Sequence, residues 1–533
     1  MHEDIDIKGD MCYTEYGKSA QGRAIIEGRK CMKRLLITMT SIVMTVLLIV
    51  LLCSCGLGDK LRNVAESTEG LEFRYMDEIA GYSVVGIGSA TDEHIVIGKH
   101  NGLPVSSIDV FAFEDCDTIK SLTVESCVKE ISDFAFSGCD NLMTVTIADG
   151  VISVWSSAFS GCPNLKYNEY DGLQYLGNKK NPYYALMKVP NELEGEVKVH
   201  KDTRITSTIE WKYKKISYNE HEGVCYLGDG KNPYKFLTHA KDDTITETNI
   251  HEDTEYICYN AFNRCLELKS ISVPRKVEII GSYAFSCYYA ESIHISEGVK
   301  IIAPSAFSSV TKCTELSLPK SLKEIHKSAF SHCRSLSTVK IPKNVAFIGE
   351  GAFGGCDKLE EIDVHSRNRF YKSVDGVLYS KDMTHLHTYP MNKSGETFVI
   401  PDSVKTIGFR AFYRSLNMKT LECGDGLEEI QLDAFVFSRV ETVRLNEGLK
   451  RIEDGAFGNS NRLIQINLPS TLEYIGDQAF YCDLLTEIHI PPSVKYVGFN
   501  AFGRRVVVYY SKDCDKSEWH PLWPLESKDR IEE

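Results

Sequence analysis

A dipeptide that returns on a fixed period limits this chain to few architectures. Past residue 100 Ala-Phe returns in one register thirteen times, at Ala112, Ala135, Ala158, Ala261, Ala284, Ala306, Ala329, Ala352, Ala411, Ala434, Ala456, Ala479 and Ala501, with steps of 22 or 23 residues outside two gaps. Self-similarity at that period describes one small structural unit laid beside the next. No single unit of that size buries its own apolar face, so the units must stack into a solenoid. This overrides the several globular domains that 533 residues would otherwise suggest.

The frame around each Ala-Phe has a physical reading position by position. One copy runs Leu336, Val339, Ile341, Pro342, Val345, Ile348, Gly349, Ala352, Phe353 and Cys356, and another runs Leu485, Ile488, Ile490, Pro491, Val494, Val497, Gly498, Ala501 and Phe502. Alternation such as Val339-x-Ile341 marks a short strand with one face inward, ended by a Pro that cannot donate to a further ladder bond. The Gly is expected to turn the chain at positive φ. The Phe fills the interior, one ring per coil, and the Ala permits close approach beside it.

These residues resemble the BspA-like leucine-rich repeat family, found on bacterial surfaces and in some protists, and the resemblance spans about residues 71 to 510. It implies an α/β or mainly-β solenoid, a right-handed superhelix of 22–23-residue coils with β-hairpin inserts. The opening segment Gly98 to Val105 and the closing Trp519-His-Pro-Leu-Trp523 are similar to the family's end coils. In the two gaps, three related segments begin Asp171-Gly172, Glu222-Gly223 and Asp375-Gly376, the first two in parallel copies that continue to Asn181-Pro182-Tyr183 and Asn232-Pro233-Tyr234. Strands joined by such turns read as hairpins, here as architectural inserts in preference to binding loops. The resulting division is a capping region over 70–108, repeats over 109–166, repeats with hairpins over 167–250, repeats over 251–365, a hairpin insert over 366–398, repeats over 399–508 and a closing cap over 509–533.

Ahead of the repeats, Met32-Lys33-Arg34 and the apolar run Leu35 to Leu52 have the charged and apolar regions of a secretory signal. Leu52-Cys53-Ser54-Cys55 resembles the bacterial lipobox, which implies lipid on Cys55, removal of residues 32–54, and a tether over 55–69. Residues 1–31, polar and acidic, read as an upstream extension with Met32 as the initiator. The alternative is an uncleaved span, because about 18 apolar residues can cross a bilayer. Either way the bulk of the chain is expected outside the membrane.

A net charge of -14 argues against nucleic-acid partners, which need clustered Lys and Arg to displace counterions. Eighteen Cys would suggest disulfides in an exported chain. Cys116, Cys139, Cys162, Cys265, Cys333 and Cys356, however, each fall three residues after the Phe, where later coils carry Ser415, Ser438 and Ser460. A site that alternates Cys with Ser asks for a small side chain, so these read as buried, reduced thiols. His385 and His387 lie two apart on one hairpin strand. They would suit a metal, but without a third ligand at an obvious spacing they read as part of a solvated strand face. No HExxH, GxSxG or Walker-type motif is present, so no catalytic residue, metal site or cofactor is assigned.

What remains is the row of outward strand residues, Thr123, Thr146, Ser272, His294, Ser317, Lys340, Asp363, Glu422, Arg444, Asn467 and His489, rich in hydroxyls early and in charges late. His294, Lys340, Asp363, Glu422, Arg444, Asn467 and His489 form the candidate binding face. The expected function is a surface-anchored scaffold for an extracellular protein or glycan, and the resemblance adds attachment to host matrix or to other cells. A purely structural envelope protein shares these features, and a hydrolase of surface polymers would need a carboxylate pair that the sequence does not reveal.

Overall fold

Two apolar pairs per coil, separated by turn residues, must face inward together, and each pair therefore becomes a short strand. In the computed structural model, which describes residues 64–76, 81–286, 289–523 and 529–532, one coil shows the pattern. Its strand Thr338–Ile341 alternates exposed and buried residues. A turn closed by Val345 N donating to Pro342 O follows, then the two-residue strand Phe347–Ile348, half-buried and then buried. A further turn carries Ala352 and Phe353 inward. About 19 such coils stack. Cys55, the apolar run before it and the segment 1–31 lie outside the described residues.

Equivalent strands pair in parallel, so the stack has two ladders. Ser270–Val273, Ser292–Ile295, Glu315–Ser317, Thr338–Ile341 and Glu361–Val364 form one five-stranded sheet. The two-residue strands Tyr256–Ile257, Ile279–Ile280, Ile301–Ile302, Glu324–Ile325 and Phe347–Ile348 form the other, in an eight-stranded sheet begun by a hairpin. Among the described residues the structure is mainly β, with a single 3-10 turn, Trp211–Tyr213, and no α-helix.

The Ala-Phe dipeptide is the stacking element. The Phe N–H of one coil donates to the Ala carbonyl of the next, as Phe113 to Ala135 at 2.7 Å and Phe330 to Ala352 at 2.8 Å. The rings lie over one another, with centroids from 4.6 to 5.9 Å apart and planes within 13° through the three Phe runs. In the last run Tyr389 takes the first Phe position, 4.8 Å from Phe412. Offset or edge-on rings are the usual preference. Here the 4.8 Å coil spacing of parallel strands imposes the ladder.

The turns depart from expectation at Gly349 and its equivalents. These glycines do not have positive φ. A Cβ on Gly349 would lie 2.5 Å from Lys327 N, one on Gly476 2.4 Å from Asp454 N and one on Gly498 2.3 Å from Asp477 N. The glycine is there because the neighbouring coil's backbone occupies the Cβ space. The left-handed residues instead flank the Phe by two positions: Tyr283, Ser305, Ser328 and Arg410 before it, and Ser309, His332 and Arg414 after it, all at φ between 52° and 63°. Most are not Gly, and the coil-to-coil hydrogen bonds on either side hold them there.

The hairpins form as expected. Asp171-Gly172, Glu222-Gly223 and Asp375-Gly376 all take positive φ at both residues, the mirror-image turn that suits a two-residue hairpin loop. The last strand of each hairpin unit then pairs in parallel with a coil, as Phe236–Ala240 with Tyr256–Ile257 and His385–Thr388 with Thr406–Ile407. The hairpins thus start ladders. At the far end Trp519 and Trp523 are buried, Trp523 O accepts from Ala501 N at 3.1 Å, and the Trp523 ring meets Phe502 edge-on at 5.9 Å. This cap replaces the next Ala-Phe.

Candidate binding surfaces

The seven residues of the candidate face stand on three separate sheets. His294, Lys340 and Asp363 are exposed on the five-stranded sheet, with Lys340 directly opposite Asp363. Glu422 and Arg444 sit opposite one another on a four-stranded sheet and form an ion pair. Asn467, just past that sheet's last strand, accepts from Leu445 N at 3.1 Å and donates to Leu445 O at 3.2 Å. Its amide thereby stands in for a missing ladder partner, which is a structural task. His489 stacks on Tyr509 at 4.5 Å on a third sheet. Three of the seven, His294, Lys340 and Asp363, remain exposed without an internal side-chain partner among the described residues.

The paired histidines correct the sequence reading. His385 and His387 are buried, 7% and 4% exposed, because their strand is covered where one ladder ends and the next begins. Ile348, on the last strand of the preceding sheet, donates its N–H to Tyr371 Oη at 2.9 Å, and its carbonyl is 3.0 Å from His387 Nε2. A carbonyl only accepts, so the neutral ring carries its proton on Nε2 and leaves Nδ1 to accept from Thr388 Oγ1 at 2.8 Å. Both ring nitrogens of His385 lack a hydrogen-bond partner. Among the described residues no group of three His, Cys, Asp or Glu side chains is placed to hold a metal.

None of the thirteen described cysteines is in a disulfide. Cys139 Sγ lies 3.2 Å from Phe113 O and Cys333 Sγ 3.3 Å from Phe307 O, each reaching back to the coil before. Ser460 Oγ makes the same bond to Phe435 O at 2.5 Å, which explains the Cys/Ser alternation. Burial pushes the Cys265 and Cys482 thiols up to about 12, far from the thiolate that reacts. Cys116 and Cys162 are half-buried, against the expectation that the whole row is shielded. A maleimide applied to the native protein therefore labels Cys116 and Cys162, while Cys139, Cys265, Cys333 and Cys356 react after unfolding. Peptide mass spectrometry of a non-reducing digest reads this, and a Cys139–Cys162 bridge in that digest contradicts the packing role.

A second surface was not legible in the sequence. On the face of the two-residue strands, the coils around residues 106–155 look across a cleft of about 520 Å³ at those around 283–350. Lys129 Nζ reaches Glu324 Oε1 at 3.2 Å across 195 residues of chain, and Glu324 also pairs with His326 at 3.1 Å. Burial alone would raise Glu324, but the His326 hydrogen bond and the Lys129 charge outweigh it and hold the carboxyl at about 2. Trp155 Nε1 donates to Glu130 Oε1 at 2.9 Å, and its ring meets Tyr259 and Tyr283 edge-on at 6.2 and 6.4 Å. Lys327 pairs with Glu350 at 3.3 Å, and that carboxylate keeps the ammonium above its ordinary value. The one sequence signal was Trp155 itself, a large aromatic where neighbouring coils carry Ser132, Cys258, Gly281 and Ala303.

The model of the BspA-type leucine-rich repeat region matches the chain in six copies, over residues 100–180, 238–362 and 388–506. Similar solved structures include a leucine-rich cell surface protein from Faecalibacterium prausnitzii, 20% identical, with 86% of this chain and 97% of that one covered and a TM-score of 0.40. The pneumococcal vaccine antigen PcpA is 18% identical, covers 88% and 98%, and has a TM-score of 0.42. A leucine-rich repeat protein from Bacteroides ovatus is 18% identical, covers 83% and 98%, and has a TM-score of 0.30. No functionally curated protein matches the chain.

Proposed function

Starting from its membership of the BspA-type leucine-rich repeat family, whose model matches over half its length, we propose that the chain is a lipid-anchored bacterial surface scaffold that binds an extracellular protein or glycan. The observation that carries this reading is the preformed cleft at Trp155, Glu130, Lys327 and Glu350. A recess of a few hundred cubic ångströms with aromatic walls and a few converging polar groups is the default binding site of a fold. The exposed His294, Lys340 and Asp363 on the other ladder supply a second, flatter contact surface. Fold alone does not fix function; the test is a screen of the ectodomain, Gly56 to Glu533, against matrix proteins, glycans and whole cells. Saturable, selective binding supports the scaffold. Uniformly absent binding transfers the reading to a structural envelope protein, and turnover of any polymer overturns it in favour of a hydrolase.

Anchoring rests on the lipobox. Protein extracted from membranes should begin at Cys55 and carry acyl chains, each contributing about 0.8 kcal/mol per buried methylene. Intact mass decides the point: an unmodified chain that retains residues 32–54 rules the anchor out. Cys55→Ala should leave the precursor uncleaved.

A further inference from the structure

Three ion pairs stand at the cleft, and two further lining carboxylates, Glu130 and Asp133, have no cation at ion-pair distance among the described residues. Arg74 lies 2.8 Å from Asp109, Lys129 3.2 Å from Glu324 and Lys327 3.3 Å from Glu350. An anionic ligand would have to pull Lys or Arg from its carboxylate and would also face the unpaired Glu130 and Asp133. An aliphatic ligand would strip water from these ion pairs and give nothing back, a desolvation cost that buried pairs tolerate poorly. A neutral ligand rich in hydroxyls meets both demands, since each hydroxyl accepts from an ammonium and donates to a carboxylate without separating them.

The aromatic wall points the same way. Of the four tryptophans, Trp211, Trp519 and Trp523 are buried, whereas Trp155 is half-buried at the cleft. Its indole N–H is committed to Glu130 at 2.9 Å, which fixes the ring, and Tyr283 and Phe347 share the lining. Fixed aromatic surface offers an apolar ligand face a partner at little entropic cost, and a sugar ring has both a C–H face and a hydroxyl rim. The volume of about 520 Å³ lies within the range of small-molecule sites, too small for a folded protein.

We propose that the cleft is a carbohydrate subsite that takes a short neutral oligosaccharide against Trp155, with the Lys327–Glu350 pair bonding its hydroxyls, an inference that rests on the binding-scaffold reading above. The full-length protein, held in a detergent without a sugar headgroup, is titrated with cellotriose, maltotriose, mannotriose and chitotriose, and with heparin disaccharide as the anionic control. Calorimetry is read together with tryptophan fluorescence, to which Trp155 is the half-exposed contributor. The expected result is saturable binding of at least one neutral trisaccharide with Kd at or below about 1 mM, accompanied by a change in tryptophan emission. Trp155→Ala should abolish the heat of binding, and Glu350→Gln, which leaves the aromatic wall intact, should weaken it at least tenfold. Absence of binding for all four neutral sugars overturns the proposal, as does binding of the heparin disaccharide alone or binding indifferent to both substitutions. If a protein partner from the ectodomain screen still binds while the trisaccharides do not, the carbohydrate subsite falls and the scaffold stands. If neither binds, both fall.

Discussion

Phe330→Ala lowers the unfolding free energy by about 3 to 5 kcal/mol, the range for emptying an aromatic core site. Phe330 is fully buried and stacked between Phe307 at 5.3 Å and Phe353 at 5.8 Å. Its backbone bond to Ala352 at 2.8 Å survives the substitution, so the loss is that of the ring and the cavity it leaves. The buried apolar residues form three segments that meet near the hairpins at 224–258 and 377–379. Coils contact mainly their neighbours, so stability is close to a sum over repeats. The loss should therefore concentrate in the middle segment, as faster hydrogen exchange in the coils around residues 260–364, with the last segment little changed. Phe437→Ala is the control: that ring is 52% exposed, and its removal should cost less than about 1 kcal/mol. A loss at Phe330 as small as that at Phe437 would mean that the ladder does not hold the coils together.

The period of Ala-Phe carried most of the fold because one physical event repeats at it. Within each run of in-register Ala-Phe pairs, the Phe N–H meets the Ala carbonyl of the next coil, and a ring fills the layer. The Asp-Gly and Glu-Gly turns were equally legible, since few backbones other than a mirror-image hairpin turn use such dipeptides between alternating strands. Other features were hidden for reasons that lie outside local sequence. Tyr283, Arg410 and Phe111 sit at positive φ with nothing in their side chains to announce it, because the strain is held by neighbouring coils. Gly349 looked like a turn residue and is a contact residue. His385 and His387 looked solvated because an i, i+2 pair says which residues share a face and not what covers that face. The cleft depends on Lys129 meeting Glu324, a contact set by the curvature of many stacked coils. No window of sequence contains it.

The buried histidines predict a stability that falls as the pH drops from about 6.5 to about 4. Burial drives both rings down from the ordinary 6.5 to about 4. The Asp382 charge partly opposes this at His385. At His387 the neighbouring His385 adds to it, while the bond to Ile348 O and the Glu350 charge oppose it. Above pH 6.5 the rings are neutral in both folded and unfolded chains and contribute no slope. Between 6.5 and 4 the unfolded chain takes up protons that the folded one refuses, so unfolding gains; below about 4 both forms are protonated and the slope ends. At about 1.4 kcal/mol for each pH unit, each ring costs on the order of 3 kcal/mol across the window. His239, also held at about 4 by burial, adds slope in the same direction, so the assignment needs a variant. His385→Leu removes an imidazole whose nitrogens have no partner and replaces it with an apolar group that forfeits no hydrogen bond. It should match or exceed the parent in stability at pH 7 and lose measurably less between pH 6.5 and 4.5, where most carboxylates remain ionised. His387→Gln, which keeps a donor for Ile348 O, should flatten the profile similarly at some cost at neutral pH. Urea midpoints measured at half-unit pH intervals would read both effects, and a His385→Leu profile parallel to that of the parent would show that His385 is not kept neutral by its surroundings.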